Sequence, residues 1–449
     1  MPFDISDITS PSDASDQATP IGAEGGRNSI RSTATNQTPG QITNAPHSVR
    51  VALLADSFLP HAGGSRVYYY NLFKHLAEDG RARVTVLTKK VEGWKEFDGS
   101  VRTDNFHVLR HSRPLPDWSY HQLPRILSPL LHTMHLVRSR RIDLLNTGDL
   151  FPQGVIGMWM KQLFGIPYLV FCHGEDLTQV DGRRYQPSVR NAIYHTAEAI
   201  IAANDLAVRN LIRVGISEHK IFKITPGVDT TKFSPARPDA CLMEQYRLRE
   251  KLVLLTVGRL VARKGHSLVL KALARVRAFL PPFHYLIVGE GPEHARLMEL
   301  THTLHLSSHV TFVGKVPDER LGDFYNLCDL FVLPNRNISG DQEGFGMVFI
   351  EANAAGKPVL GGSTGGASEA IIHDATGMLV DPEDIETLAG TIRLLLKSPD
   401  MRSRFGATGL RRARTEFSWS VRAAALRDLT LSVLRNVSGR SGYAAQEAR

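Results

Sequence analysis

Cysteine is scarce in this chain: Cys172, Cys241 and Cys328 are the three among 449 residues. They lie far apart and form neither a Cys-x-x-Cys pair nor a disulfide framework. That excludes a disulfide-stapled scaffold and makes a reducing cytoplasm the expected setting. Long apolar runs are missing as well. No stretch approaches the roughly 20 consecutive apolar residues of a membrane span, and the N-terminus has no apolar signal region, so any membrane contact is expected to be peripheral. The chain has no Asp-x-Asp pair to hold a metal-bridged diphosphate, so neither a metal nor another cofactor is expected. Gly-x-x-x-x-Gly-Lys-[Ser/Thr] is absent too, which removes a phosphate-loop ATPase. Gly289-Glu290-Gly291-Pro292 is only a partial dinucleotide fingerprint, broken by proline, and argues against a nicotinamide oxidoreductase.

What remains is ordinary globular material, with 42% hydrophobic and 22% charged residues. The length suits two domains plus tails. A formal charge of +8 favours anionic partners without choosing among phosphates, nucleic acids and lipids. Residues 1–47 are rich in Ser, Thr, Asp, Asn, Gln, Gly, Ala and Pro and are expected to form a disordered tail, because they cannot bury enough apolar surface to offset ordering.

Order begins at Val49-Arg50-Val51-Ala52-Leu53-Leu54-Ala55, an apolar run of the kind buried in a parallel sheet. Further strands are predicted at Val84–Thr88, His107–Arg110, Asp143–Thr147, Tyr168–His173, Ala199–Ala203 and Ile221–Thr225. Helix-length amphipathic segments separate them, which indicates a parallel α/β layer. A second series runs through Leu252–Gly258, Tyr285–Gly289, Val310–Gly314, Leu330–Pro334 and Pro358–Gly361. Pro226-Gly227-Val228-Asp229 punctuates the chain between the two series as a hinge.

The most informative segment is Glu343-Gly344-Phe345-Gly346-Met347-Val348-Phe349-Ile350-Glu351. Two carboxylates stand eight positions apart across a glycine-rich turn, with a helix predicted from Met347 to Ala355. The turn aims the backbone N–H groups of Phe345, Gly346 and Met347 outward at a positive helix terminus, where an anion or sugar hydroxyls fit. Glu343 at the mouth can accept hydrogen bonds from sugar hydroxyls, and Glu351, two turns deeper, can reach a ribose diol. Arg259 and Lys264 follow the first strand of the second series, where loops at strand carboxyl ends line a ligand crevice. An Arg fork and a Lys point charge there suit a diphosphate. Gly63-Gly64-Ser65 opens a helix after the first strand, permitting close backbone approach. His173 stands at the end of a strand of the first series, and Asp205 near the end of another.

These segments resemble the family-four nucleotide-sugar glycosyltransferases of the GT-B architecture, and the resemblance covers nearly everything after residue 47. It implies an α/β chain with two Rossmann-like domains facing across a cleft. Residues 48–225 would form the acceptor domain and 226–415 the donor domain, with a C-terminal helix over 416–437 crossing back to the first and a disordered tail over 438–449. By the resemblance Glu343 contacts the donor sugar, Glu351 the ribose, and Arg259 and Lys264 the diphosphate. Gly314, Lys315 and Val316 flank the nucleotide base. Gly63, Gly64 and Ser65 complete the diphosphate and acceptor site, and His173 hydrogen-bonds the donor sugar. The catalytic set is then His173, Glu343, Arg259 and Lys264. Anomeric configuration is expected to be retained, without an attacking enzyme carboxylate. A sugar-nucleotide epimerase of the same architecture and a catalytically silent sugar-nucleotide binder stay open.

Partners are expected to be a nucleotide-sugar donor and a lipid or saccharide acceptor, with no nucleic acid. The stretch Asn335–Gln342 is similar to that of bacterial enzymes that mannosylate phosphatidylinositol, which favours GDP-mannose over uridine-diphosphate sugars. Trp118 and Tyr120 are candidates for the acceptor entrance, with Asp205 on the same side. The segment Arg125–Arg141 carries Ile126, Leu127, Leu130, Leu131, Met134 and Val137 on one stripe between arginines. Both packing against the sheet and contact with the inner face of the cytoplasmic membrane are open to it.

Overall fold

The computed structural model describes residues 48–60, 63–112, 123–139, 141–174, 187–339 and 343–447. The predicted tail over 1–47, Trp118 and Tyr120 lie outside them.

The first domain carries seven strands: β1 (Val49–Leu54), β2 (Ala82–Lys89), β3 (Phe106–His111), β4 (Leu144–Thr147), β5 (Tyr168–Cys172), β6 (Ala199–Ala202) and β7 (Ile221–Lys223). Its helices are α1 (Gly64–Glu78), α2 (Trp94–Val101), α3 (Leu123–Arg138), α4 (Val155–Phe164), α5 (Pro187–Thr196) and α6 (Asp205–Arg213). The second domain has β8 (Leu252–Val257), β9 (Phe283–Val288), β10 (Val310–Gly314), β11 (Leu330–Leu333), β12 (Val359–Gly362) and β13 (Gly377–Val380). Its helices are α7 (Ala240–Gln245), α8 (His266–Val276), α9 (His294–Thr303), α10 (Leu321–Leu327), α11 (Met347–Ala354), α12 (Ala367–Ala370), α13 (Ile385–Lys397) and α14 (Pro399–Thr415), followed by α15 (Trp419–Glu447).

The strand order is β3-β2-β1-β4-β5-β6-β7 in one sheet and β10-β9-β8-β11-β12-β13 in the other. The named strand pairs in both are parallel. Helices cover both faces, so β4, β5 and β9 are buried along their whole length; β5 is a continuous apolar run rather than an alternating one, whereas β4 buries Asn146 and Thr147 and β9 buries His284. Each sheet separates two hydrophobic clusters, one on each face. Strand order reverses between β1 and β4 and between β8 and β11, and a crevice opens beyond the carboxyl ends at such switch points.

One strand was not legible in advance: β13 is four residues long, begins with Gly377, and is defined by its pairing with β12. The terminal helix also differs from expectation. It runs on to Glu447 rather than giving way to a tail at Ser438; Gly439 and Gly442 cost about 1 kcal/mol each relative to alanine, but Ala444, Ala445, Gln446 and Glu447 all favour helix.

The hinge is clasped. Val228 N–H donates to the Phe417 carbonyl at 2.7 Å and its own carbonyl accepts from Trp419 N–H at 3.4 Å. From there α15 crosses to the first domain, where Trp419, Ala423, Leu426, Leu429 and Val433 join the core beneath α1. Helix α3 divides the apolar stripe read from the sequence. Ile126, Leu130, Met134 and Val137 pack on the sheet, whereas Leu127 and Leu131 are each 55% exposed. Among the described residues no helix is long and apolar enough to cross a membrane.

Candidate active site in the cleft

The second domain supplies a charged centre at its switch point. The chain leaves β8, passes Arg259 and a single turn at Ala262–Lys264, and enters α8. Lys264 is buried there, and its ammonium donates to Glu343 Oε2, which also accepts from Arg263 Nη1 at 2.9 Å. The Glu343 side chain is 13% exposed. Burial raises the carboxyl's pKa, but Lys264 and then Arg263 outweigh it and hold the group below the usual carboxylate range.

Two glycines shape the loop around this carboxylate. Gly346 caps α11 with φ 80°, and a Cβ there would meet Phe349 Cδ2 at 2.7 Å. Gly365, at φ 66°, passes so close that a Cβ would lie 2.6 Å from the Glu343 carbonyl. Phe345 is buried against Phe417, which anchors the turn. Among the described residues the N–H groups of Phe345, Gly346 and Met347 have no hydrogen-bond partner. They form a donor cluster at a helix N-terminus, suited to an anion.

Glu351 sits further along α11 and accepts from the Tyr325 hydroxyl at 2.6 Å. Burial raises its pKa, against the lowering effects of that hydrogen bond and of Lys232. A ribose diol would meet an acceptor already oriented by Tyr325. Arg259 is exposed at the carboxyl end of β8 and makes no ion pair among the described residues. Beside Lys264, Arg263 is a second cation on Glu343 that the motif reading did not single out. Gly314 closes β10 at φ 79°, with nothing within 4 Å of a built Cβ. Beyond it Lys315 is exposed and Val316 packs on the core.

On the opposite wall, Gly63 precedes α1 and offers no side-chain cap; a Cβ on Gly64 would meet nothing within 4 Å, and Ser65 is exposed. His173 follows β5 with Nε2 2.5 Å from the Tyr69 hydroxyl, which reaches the Gly148 carbonyl at the same distance. The single hydroxyl proton goes to that carbonyl, so Nε2–H is the donor to Tyr69. Asn204 caps α6 and donates to the His173 carbonyl at 3.1 Å.

The two walls meet at Asn204: a Cβ on Gly344 would lie 3.9 Å from its Nδ2. They meet again nearby, where Asp205 N–H donates to Glu369 Oε1 at 2.8 Å and Lys223 pairs with Asp205 at 2.7 Å and Glu369 at 3.6 Å. Asp205, expected on the acceptor side, is thus part of a clasp between the domains. Gly366 N–H, one residue before α12, donates to the Glu343 carbonyl at 2.9 Å, so this clasp is joined to the loop bearing Glu343. Among the described residues no group of three or more His, Cys, Asp or Glu is placed to hold a metal ion.

Residues 62–232 match the profile of Glycosyltransferase Family 4, and residues 242–412 that of Glycosyl transferases group 1. A GDP-mannose-dependent alpha-(1-6)-phosphatidylinositol monomannoside mannosyltransferase of Mycobacterium tuberculosis is 28% identical over 389 residues, covering 84% of this chain and 97% of that protein. A D-inositol 3-phosphate glycosyltransferase of Catenulispora acidiphila is 29% identical over 412 residues, covering 85% and 94%. Among solved structures, HepE of Anabaena in complex with UDP superposes with a TM-score of 0.70 at 19% identity, over 86% of this chain and 100% of that one.

Proposed function

The chain belongs to the family-four glycosyltransferases of GT-B architecture, and from that premise we propose that it transfers mannose from GDP-mannose to an inositol-bearing lipid, with retention and without a metal. The observation that carries this reading is the convergence of Lys264 and Arg263 on Glu343 beside the bare N–H groups of Phe345, Gly346 and Met347. Breaking the bond between the anomeric carbon and the phosphate leaves charge on the diphosphate, and preorganised cations and amides stabilise that charge. The acceptor oxygen bonds the anomeric carbon on the face the phosphate leaves, and its proton passes to the departing phosphate oxygen. Glu343 and His173 hold the sugar, and Glu351 the ribose. The similarity to GDP-mannose-dependent phosphatidylinositol monomannoside mannosyltransferases supports GDP-mannose and an inositol-bearing lipid.

Titration with GDP, UDP and ADP in EDTA, followed by thermal unfolding, tests the donor. A ligand confined to the folded state stabilises by about 2.7 kcal/mol at a hundred times its dissociation constant. GDP is expected to give the largest shift and Glu351→Ala to abolish it. No shift with any nucleotide at millimolar concentration would remove the donor site from the reading.

The acceptor reading brings with it a peripheral contact at the inner face of the cytoplasmic membrane. Leu127 and Leu131 lie one turn apart on α3, and Arg138 and Arg141 beyond them are exposed, a combination that suits an anionic lipid surface. Replacing both leucines by glutamate is expected to reduce flotation with anionic vesicles several-fold. Unchanged flotation would rule the contact out.

A further inference from the structure

A cavity of about 780 Å³ opens at the amino ends of β1, β2 and β3, the end of the sheet away from the cleft. Arg50 and Arg83 are register partners there, about 13 Å below the end of β1 at the rise of a strand. The hollow wraps the edge strand β3, reaching His107 and Leu109 on one side and Trp94 of α2 on the other. It exists because α3 covers only part of this face: Leu136 and Val137 are buried, while Leu109 is 39% exposed.

The charges in this cavity do not cancel. Arg50 is matched by Asp143, and Asp98 by Arg110 at 2.8 Å. Arg83, Arg102 and Arg141 line the same space, are exposed, and make no ion pair among the described residues. Asp104 is the one lining carboxylate left to oppose them.

We propose that this cavity is a second anion site, taking a phosphate-bearing ligand of small-molecule size. Guanidinium forks recognise phosphate oxygens in pairs, Trp94 offers a flat apolar wall, and the volume lies within the range of small-molecule sites. The phosphate belongs either to a free metabolite or to a lipid headgroup.

The test uses the full chain with GDP saturating the cleft. One arm titrates inorganic pyrophosphate by calorimetry. The other measures binding to phosphatidylcholine vesicles containing phosphatidylglycerol, with Leu127 and Leu131 replaced by glutamate to remove the α3 contact. The double variant Arg83→Gln, Arg102→Gln alters exposed groups that make no ion pair among the described residues and is expected to keep the GDP-induced stability shift. Binding is expected to weaken about tenfold or more in the variant. Loss in the pyrophosphate arm identifies a free phosphate, and loss in the vesicle arm alone a headgroup. If the variant matches the parent in both arms, or neither probe binds the parent, the second site is refuted.

Discussion

Lys264→Ala is expected to lower sugar transfer by about a thousandfold, near the upper end for loss of one charge-stabilising group, and to destabilise the unliganded protein by about 2 kcal/mol. Breaking a buried ion pair by removing one partner costs about 3–5 kcal/mol when the other charge is left alone, and here Arg263 still contacts Glu343. The pH dependence carries a second signature. The folded-state pKa of Glu343 is depressed, so its stabilising contribution is present above the unfolded value of about 4.3 and disappears as pH falls through the lower folded value. Without Lys264 the burial effect is opposed only by Arg263, so the acid loss of stability begins at higher pH. Urea unfolding between pH 3 and 7 together with an assay of transfer from the sugar nucleotide checks both. Transfer within tenfold of wild type would show that Lys264 does not stabilise the leaving diphosphate.

How much of this centre can be read from sequence depends on whether a residue's partner is nearby in the chain. The buried strands were legible because both faces of a parallel sheet demand apolar side chains, as in Tyr168–Cys172. Boundaries shifted where a strand end is polar or glycine-rich, and β13 escaped because Gly377-Met378-Leu379-Val380 is too short to show a period. Glu343 and Glu351 were singled out by a local glycine pattern, and Lys264 by its place after the first strand of the second series. Arg263 is adjacent to Lys264, yet its contact lies 80 residues away, and spacing alone could not rank it against Arg259. Tyr69 reaches His173 across 104 residues, and Asp205 takes a hydrogen bond from its backbone to Glu369 across 164. Nothing in the Tyr68-Tyr69-Tyr70 run distinguishes the tyrosine that orients a histidine from its neighbours in the core. Tertiary geometry decides these roles, as it decides which half of the α3 stripe packs inward.

Glu343→Gln separates binding from chemistry by moving them in opposite directions. In the unliganded protein the carboxylate occupies Lys264 and Arg263, the cations that the proposed mechanism assigns to the diphosphate. Glutamine keeps the shape and removes the competing charge, leaving Lys264 buried without its main counter-ion. A bound diphosphate then supplies the missing negative charge, so GDP is expected to bind about two- to fivefold tighter than to wild type and to raise the thermal midpoint further. Transfer is expected to fall about a hundredfold, because the hydrogen bonds from sugar hydroxyls to an ionised acceptor are lost where the anomeric carbon reacts. Calorimetric titration with GDP at fixed salt and single-turnover transfer make the two measurements. Tighter GDP with slower transfer assigns Glu343 to the sugar; weaker GDP would mean that the carboxylate helps to hold the nucleotide, and the division of roles between Glu343 and Lys264 would have to be reversed.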